Sequence, residues 1–267
     1  FAQPLAPPAA IPGPLQISKL PYALYPGNYW KEIQTRFPWK AVGKLIFKDR
    51  GTPYIGTANV IYSPQGNLIV TAAHNVFSPG AQPRFHTDFV FIPAERDGVA
   101  PYGQFPFKTA RVLLRWKEGN WSARDDVALL TLQNNQAGKP VSYYTGGLGL
   151  KMNLPYTLNV TAMGYSGSGV MNSKATTIST GQTFFFDGKD CSGFQGGEDI
   201  LFMGSDLTSG SSGGAWLYKY QPFDSMAKGN YVTSVVSQGI GCGQGMDPPV
   251  PEIVLGPRFS EANIGVL

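Results

Sequence analysis

Apolar and β-branched residues recur along this chain in short runs, and no segment sustains a 3.6-residue apolar period. From residue 41 onward the runs read "AVGKLIF", "GTANVIY" and "NLIVTAA", the last two joined by "SPQGN", a hairpin-type connection. "DFVFI", "ARVLLRW" and "DVALLTL" follow, and beyond "NNQAGKP" come "LNVTAMGY", "ILFMG", "GAWLYKY" and "YVTSVVSQG". Many short strands with turn residues between them, over a length exceeding one small sandwich, predict an all-β chain of two packed units. The linker falls near residues 133–150, giving one unit over 41–140 and a second over 141–267.

Residues 1–40 stand apart. Seven prolines within residues 1–26 exclude a helix or a central strand there, so this segment reads as an extended strap or arm. Composition agrees with β structure: charged residues are only 14 %, against roughly 25 % for an average soluble domain, while 33 Gly and 22 Pro supply the turns.

The formal net charge of +4 is spread thinly, with no basic block to track a phosphate backbone, so nucleic acid is not an expected partner. No apolar run approaches the roughly 18 residues a membrane helix needs, so no membrane association is expected either. The chain opens with Phe1, as a processed mature protein would, and its two cysteines, Cys191 and Cys242, fit one disulfide in an oxidising compartment or two buried thiols. Secretion is the expectation. Asn120 and Asn159 open glycosylation sequons too short to decide anything.

Three stretches carry candidate chemistry. His74, one of only two histidines with His86, sits in "VTAAHNVF" directly after an expected strand. Its unperturbed pKa suits a group that takes up and returns a proton near neutrality, although a histidine taken alone is more often structural. In "ARDDVALL" the apolar run draws Asp126 toward the interior, where a carboxylate needs a partner; side-chain alternation lets only Asp126 or its neighbour Asp125 face a given group. "SGSSGGAW", residues 209–216, surrounds Ser211 and Ser212 with glycines that permit a sharp turn and present amide N–H groups to an anion. Between strand-like "ILFMG" and "AWLYKY", a shaped turn is more natural there than a flexible linker.

"TAAH", then "DDVALL" with Asp126 52 residues after His74, then "GSSGGA" with Ser212 86 residues further, resembles the trypsin and chymotrypsin family of serine proteases. The His, Asp, Ser order is that family's order, and "VTAMGYSG" and "SVVSQGIGC" resemble two of its further strands. The resemblance spans roughly residues 41–259 and implies two packed six-stranded antiparallel β-barrels with the active site in the cleft between them. It implies Ser212 as nucleophile, His74 as general base and acid, Asp126 as orienting carboxylate, and the amides of Gly210 and Ser212 as the oxyanion hole. It makes Ser237, Gln238 and Gly239 the strand on which a peptide substrate adds, and bounds the pocket by residues 206–211, 237–239 and the region around Gly256. It also suggests that Cys191 pairs with Cys242.

The sequence departs from the animal enzymes. Ser211 stands where they carry an acidic residue for a new N-terminus, and the cysteines flanking the catalytic histidine are missing, features closer to secreted microbial trypsin-like peptidases and relatives of the glutamyl endopeptidases. Asp206, six residues before Ser212, has the spacing of the carboxylate that receives Lys or Arg, with local backbone capping as the alternative role. Val236 stands where a histidine would accompany glutamate preference. The expectation is a secreted, monomeric serine endopeptidase acting on protein or peptide substrates, without metal or cofactor. The alternatives are a catalytically silent protease-like binding protein and a β-rich adhesion or carbohydrate-binding module.

Overall fold

Six strands of the N-terminal half close on themselves in the computed structural model, which describes residues 22–26, 32–119, 121–167, 173–188, 196–222, 229–240 and 253–267. Cys191, Cys242 and Asn120 lie outside the described residues. After β1 (Tyr22–Pro26), the chain runs through β2 (Val42–Asp49), β3 (Thr52–Val60), β4 (Leu68–Thr71), the short β5 (Phe77–Ser78) and β6 (Arg84–Phe85), β7 (Thr87–Pro93), β8 (Phe105–Val112) and β9 (Ala128–Leu132). The barrel order is β2-β3-β4-β9-β8-β7, with β7 returning to β2. Alternation turns Leu45 and Phe47 of β2 inward, where they meet Ile69, Phe91, Phe105 and Leu130. Each such buried side chain contributes about 1.5–3 kcal/mol. Gly43 is required by this packing, since a Cβ there would lie 2.5 Å from the Phe91 ring.

"ARVLLRW" does not form one strand. β8 ends at Val112 and a single turn, α1 (Leu114–Lys117), follows. The turn buries Leu113 and Trp116 and leaves Leu114 exposed, and the Trp116 indole N–H donates to the Phe77 carbonyl. Period-2 reading could not separate these because the apolar residues run on without a break.

The C-terminal half continues with α2 (Val141–Thr145), β10 (Gly149–Leu150), β11 (Asn159–Gly164), β12 (Thr177–Gln182), β13 (Phe184–Phe185), β14 (Ile200–Gly204), β15 (Ala215–Tyr218), β16 (Tyr231–Val235), β17 (Gln238–Ile240) and β18 (Ile253–Pro257). Its strands form a sheet ordered β1-β12-β11-β15-β16-β10 and another ordered β13-β14-β18-β17, which meet where β12 touches β14 and β16 touches β18. Among the described strands, β10 pairs with β16 in parallel. "ILFMG" becomes β14 and is buried on both faces. Leu201 and Met203 point into a cluster with Trp216 and Val254, and Ile200 and Phe202 point into one with Phe186 and Leu255. β1, from the proline-rich segment, is an edge strand paired antiparallel with β12, a position that tolerates Pro26 because an edge strand need not donate outward.

Candidate active site

The ladder between β4 and β9 brings the first two candidate residues together. Thr71 pairs with Ala128 in antiparallel register, so the chain leaving β4 and the chain entering β9 lie at the same end of the barrel. Three residues past Thr71 the backbone makes a 3₁₀ turn, Ala73–Asn75, carrying His74; two residues before Ala128, Asp126 ends another, Ala123–Asp125. Asp126 is buried and accepts from the His74 backbone N–H at 2.8 Å through Oδ1, while its Oδ2 faces His74 Nδ1 at 2.7 Å.

Burial disfavours charge on both partners, but their mutual attraction and hydrogen bonds outweigh it: the His74 imidazole is held above its ordinary 6.5 and the Asp126 carboxyl below its ordinary 3.8. An ionised carboxylate can only accept, so Nδ1 carries the proton and Nε2 of the neutral ring is left as the base. Asp125, the rival carboxylate, is fully buried but pairs with Arg115, whose Nη2 lies 2.7 Å from Oδ1.

Ser212 lies in the turn between β14 and β15. Gly210 and Gly213 adopt φ of +95° and +87°, which L side chains rarely reach. The carbonyls of this turn are anchored in succession: Ser209 O accepts from Gly167 N at 2.6 Å, Gly210 O from the Thr57 hydroxyl at 2.8 Å, and Ser211 O from Gly214 N at 2.8 Å. Ser212 O accepts from Thr57 N at 2.8 Å and from Asn75 Nδ2 at 2.9 Å. In a trans peptide the N–H points opposite to its carbonyl. Pinning Ser209 O and Ser211 O therefore aims the N–H groups of Gly210 and Ser212 the other way, and neither has an acceptor among the described residues. The Ser211 hydroxyl turns back onto Thr208 O at 2.6 Å.

Asn75 thus ties the turn bearing His74 directly to the carbonyl of Ser212. Its own carbonyl faces Nδ1 of His86 at 3.0 Å, and the buried His86 ring stacks on Phe47 with centroids 5.0 Å apart. Burial pushes the His86 pKa down, and Nε2 lies 2.8 Å from Ser78 Oγ. Thr57, Asn59 and Asn75 escaped the sequence reading. The available signal was the polar side chains inside the apolar runs "GTANVIY" and "AAHNVF", which on burial must find partners. Asn59 finds Gly213 O at 2.7 Å and Ala215 N at 3.1 Å.

The remaining site residues divide. Ser237 is buried and donates its hydroxyl to Asp126 Oδ2 at 2.6 Å, so its side chain faces the carboxylate. Gln238 and Gly239 lie in β17, which pairs with β18 and, among the described residues, is one of the two edge strands of its sheet. Val236 is buried and bonds through its backbone to Gly213 and Gly214. Asp206 is partly buried, its Oδ1 has no partner among the described residues, and burial raises its pKa. Gly256 is closely packed, with Trp216 Cζ2 3.2 Å from where a Cβ would stand.

Known structures share this architecture. The chain superposes on the protease Anisep from Arthrobacter nicotinovorans with a TM-score of 0.69 at 24 % identity, over 85 % of this chain and 92 % of that one. Serine protease AL20 from an extremophilic microorganism gives 0.69 at 22 % identity, over 83 % and 92 %. A Glu endopeptidase gives 0.64 at 15 % identity, over 87 % and 90 %. At these identities the likeness establishes the two-barrel, all-β fold. No curated protein matches the chain in sequence. The sequence profile named Trypsin matches residues 39–253. Since that match runs through well over half of the sequence, the chain belongs to the trypsin family of serine peptidases.

Proposed function

We propose that this serine endopeptidase cleaves peptide bonds with Ser212 as nucleophile, His74 as general base and acid, and Asp126 as orienting carboxylate. The observation that carries the reading is the His74 turn itself. One of its residues holds a buried carboxylate at Nδ1, and the next reaches the carbonyl of Ser212. Ser212 Oγ attacks the scissile carbonyl as its proton passes to His74 Nε2, giving a tetrahedral oxyanion. The free N–H groups of Gly210 and Ser212 receive that oxyanion, each such donor being worth about 3–4 kcal/mol in the transition state. Collapse sends the proton from His74 to the leaving amine and leaves an acyl-enzyme. Water, deprotonated by the same imidazole, releases the acid and restores Ser212.

The substrate adds as a strand to the edge at Gln238 and Gly239 through main-chain hydrogen bonds. Asp206 supports a preference for Lys or Arg at the cleaved bond, because a partly desolvated carboxylate whose Oδ1 has no partner among the described residues favours a cation beside it. Action outside the cell, as a monomer with Cys191 bridged to Cys242, completes the reading; mass spectrometry under non-reducing conditions checks the bridge.

Covalent labelling with a fluorophosphonate tests the nucleophile. The parent enzyme should label and Ser212→Ala should not; labelling that persists in Ser212→Ala overturns the assignment. A folded parent that neither labels nor cleaves any member of a peptide library overturns the peptidase reading.

A further inference from the structure

Thr57 is fully buried in β3 of the N-terminal barrel, yet it commits every polar group it has to the surroundings of the nucleophile turn. Its N–H donates to Ser212 O at 2.8 Å and its carbonyl accepts from the Thr71 hydroxyl at 2.7 Å. Its hydroxyl accepts from Tyr165 N at 2.9 Å and spends its single proton on Gly210 O at 2.8 Å. Because the Tyr165 amide can only donate, the direction of the Thr57 hydroxyl proton is determined, and Gly210 O is its acceptor.

We propose that the Thr57 hydroxyl is a positioning residue that sets the oxyanion pocket in the free enzyme by holding the carbonyl of Gly210. The inference rests on the reading of Ser212 as nucleophile. Gly210, without a Cβ, has no side chain to restrain its backbone and is held at φ +95°. Its N–H is aimed only while the peptides on both sides stay in place. Gly167 anchors the preceding peptide from within the C-terminal half, and Thr57 anchors the following one from the opposite barrel. Ser211 anchors the same peptide only from within the turn, its N–H and its hydroxyl both closing onto Thr208 O at 3.0 and 2.6 Å, so the Thr57 hydroxyl is the anchor that reaches it from outside. The Gly210 carbonyl is therefore registered to the barrel that carries His74, while the peptide bearing the Gly210 N–H is held from the C-terminal half, so the two halves together fix the aim of that donor.

The test replaces Thr57 by Val, which keeps the shape and removes both the donor to Gly210 O and the acceptor for Tyr165 N–H, and by Ser, which keeps both. Both are compared with the parent for kcat and KM on a peptide amide, for inhibition by a peptide aldehyde whose hemiacetal oxygen occupies the pocket, and for thermal stability. Thr57→Val should lose about 10- to 100-fold in kcat with a parallel loss of aldehyde affinity. KM and the midpoint of the pH profile should stay within about twofold of the parent, and Thr57→Ser should stay close to the parent throughout. A folded Thr57→Val with kcat and aldehyde affinity within about twofold of the parent overturns the proposal, as does a loss confined to KM.

Should Thr57→Val not fold, Thr57→Cys, a weaker donor with a longer bond, supplies the reading. A fall in kcat and aldehyde affinity together supports the proposal, and unchanged values overturn it. Failure of the peptidase reading would appear in the parent, which would neither turn over nor label, whereas failure of this inference appears only in the variants.

Discussion

Ser237 donates its hydroxyl to Asp126 Oδ2 at 2.6 Å, and His74 faces that same oxygen from Nδ1 at 2.7 Å. The carboxylate is thus held by a residue from each half of the molecule. Removing the hydroxyl leaves a buried anion with one donor fewer, and a charge-assisted hydrogen bond of this kind is worth about 1.5–3 kcal/mol. Ser237→Ala is expected to lower thermal stability. It should also raise the apparent pKa of His74, because the less solvated carboxylate attracts the imidazolium more strongly. An acid limb of the rate profile that does not move upward would contradict the shared role of Oδ2.

The rate itself should rise with pH. Burial alone would lower the His74 pKa, but the charge and hydrogen bond of Asp126 hold it above 6.5, and only the neutral ring accepts the serine proton. A profile of kcat/KM against pH should therefore show a single acid limb with its midpoint above 6.5. Stability runs the other way. The raised His74 pKa contributes stability that is complete below 6.5 and lost as pH rises through the folded value, whereas the depressed Asp126 pKa contributes stability present above 3.8 and lost as pH falls through its own folded value. The pair should stabilise most between those limits, where turnover is low. Thermal melts of the parent and His74→Ala across this range would measure it, and a difference that grows toward alkaline pH would refute it.

The two adjacent aspartates should separate cleanly. Asp126→Asn is expected to lower kcat by about four orders of magnitude while the protein remains folded, because the amide cannot hold the Nδ1 proton in the same way. Asp125→Asn loosens the pairing with Arg115, which also donates to the carbonyl of Ala262 near the C-terminus. That change should cost about 1–3 kcal/mol of stability and leave kcat/KM near the parent value. Melting curves and steady-state rates on both variants decide this.

Gly213→Ala tests the turn. At φ +87° an L side chain is strained, and a Cβ would drive into the Thr71 hydroxyl and the Thr57 carbonyl, both buried. Backbone strain and overpacking together should cost about 2–4 kcal/mol. Fluorophosphonate labelling should fall along with the melting temperature, and a variant as stable and as reactive as the parent would show that the turn has room to relax.

The proposed preference for basic residues is tested at Asp206. Asp206→Ser should lower kcat/KM for peptides with Lys or Arg at the cleaved bond by about 100-fold or more, while uncharged residues lose little. Peptide-library profiling of parent and variant measures the difference, and an unchanged profile would assign Asp206 to backbone capping instead.

Much of the strand content was legible because side-chain alternation and turn residues are properties of the local chain. "ILFMG" became β14 and "DFVFI" fell within β7, while "ARVLLRW" misled because a continuous apolar run looks alike in a strand and in a buried turn. The candidate His, Asp and Ser were legible as motifs in a family order. Tertiary structure alone decided that Asp126 rather than Asp125 faces His74, since both are buried and a 3₁₀ turn, not strand alternation, separates their directions. It alone turned Ser237 onto the carboxylate, and it alone brought Asn75 to the carbonyl of Ser212 across 137 residues and Thr57 to that of Gly210 across 153. A periodic pattern states which way a side chain leans from its own backbone. What that side chain then meets depends on barrel closure and on the register of ladders far apart in the chain, and no local stretch of sequence contains either.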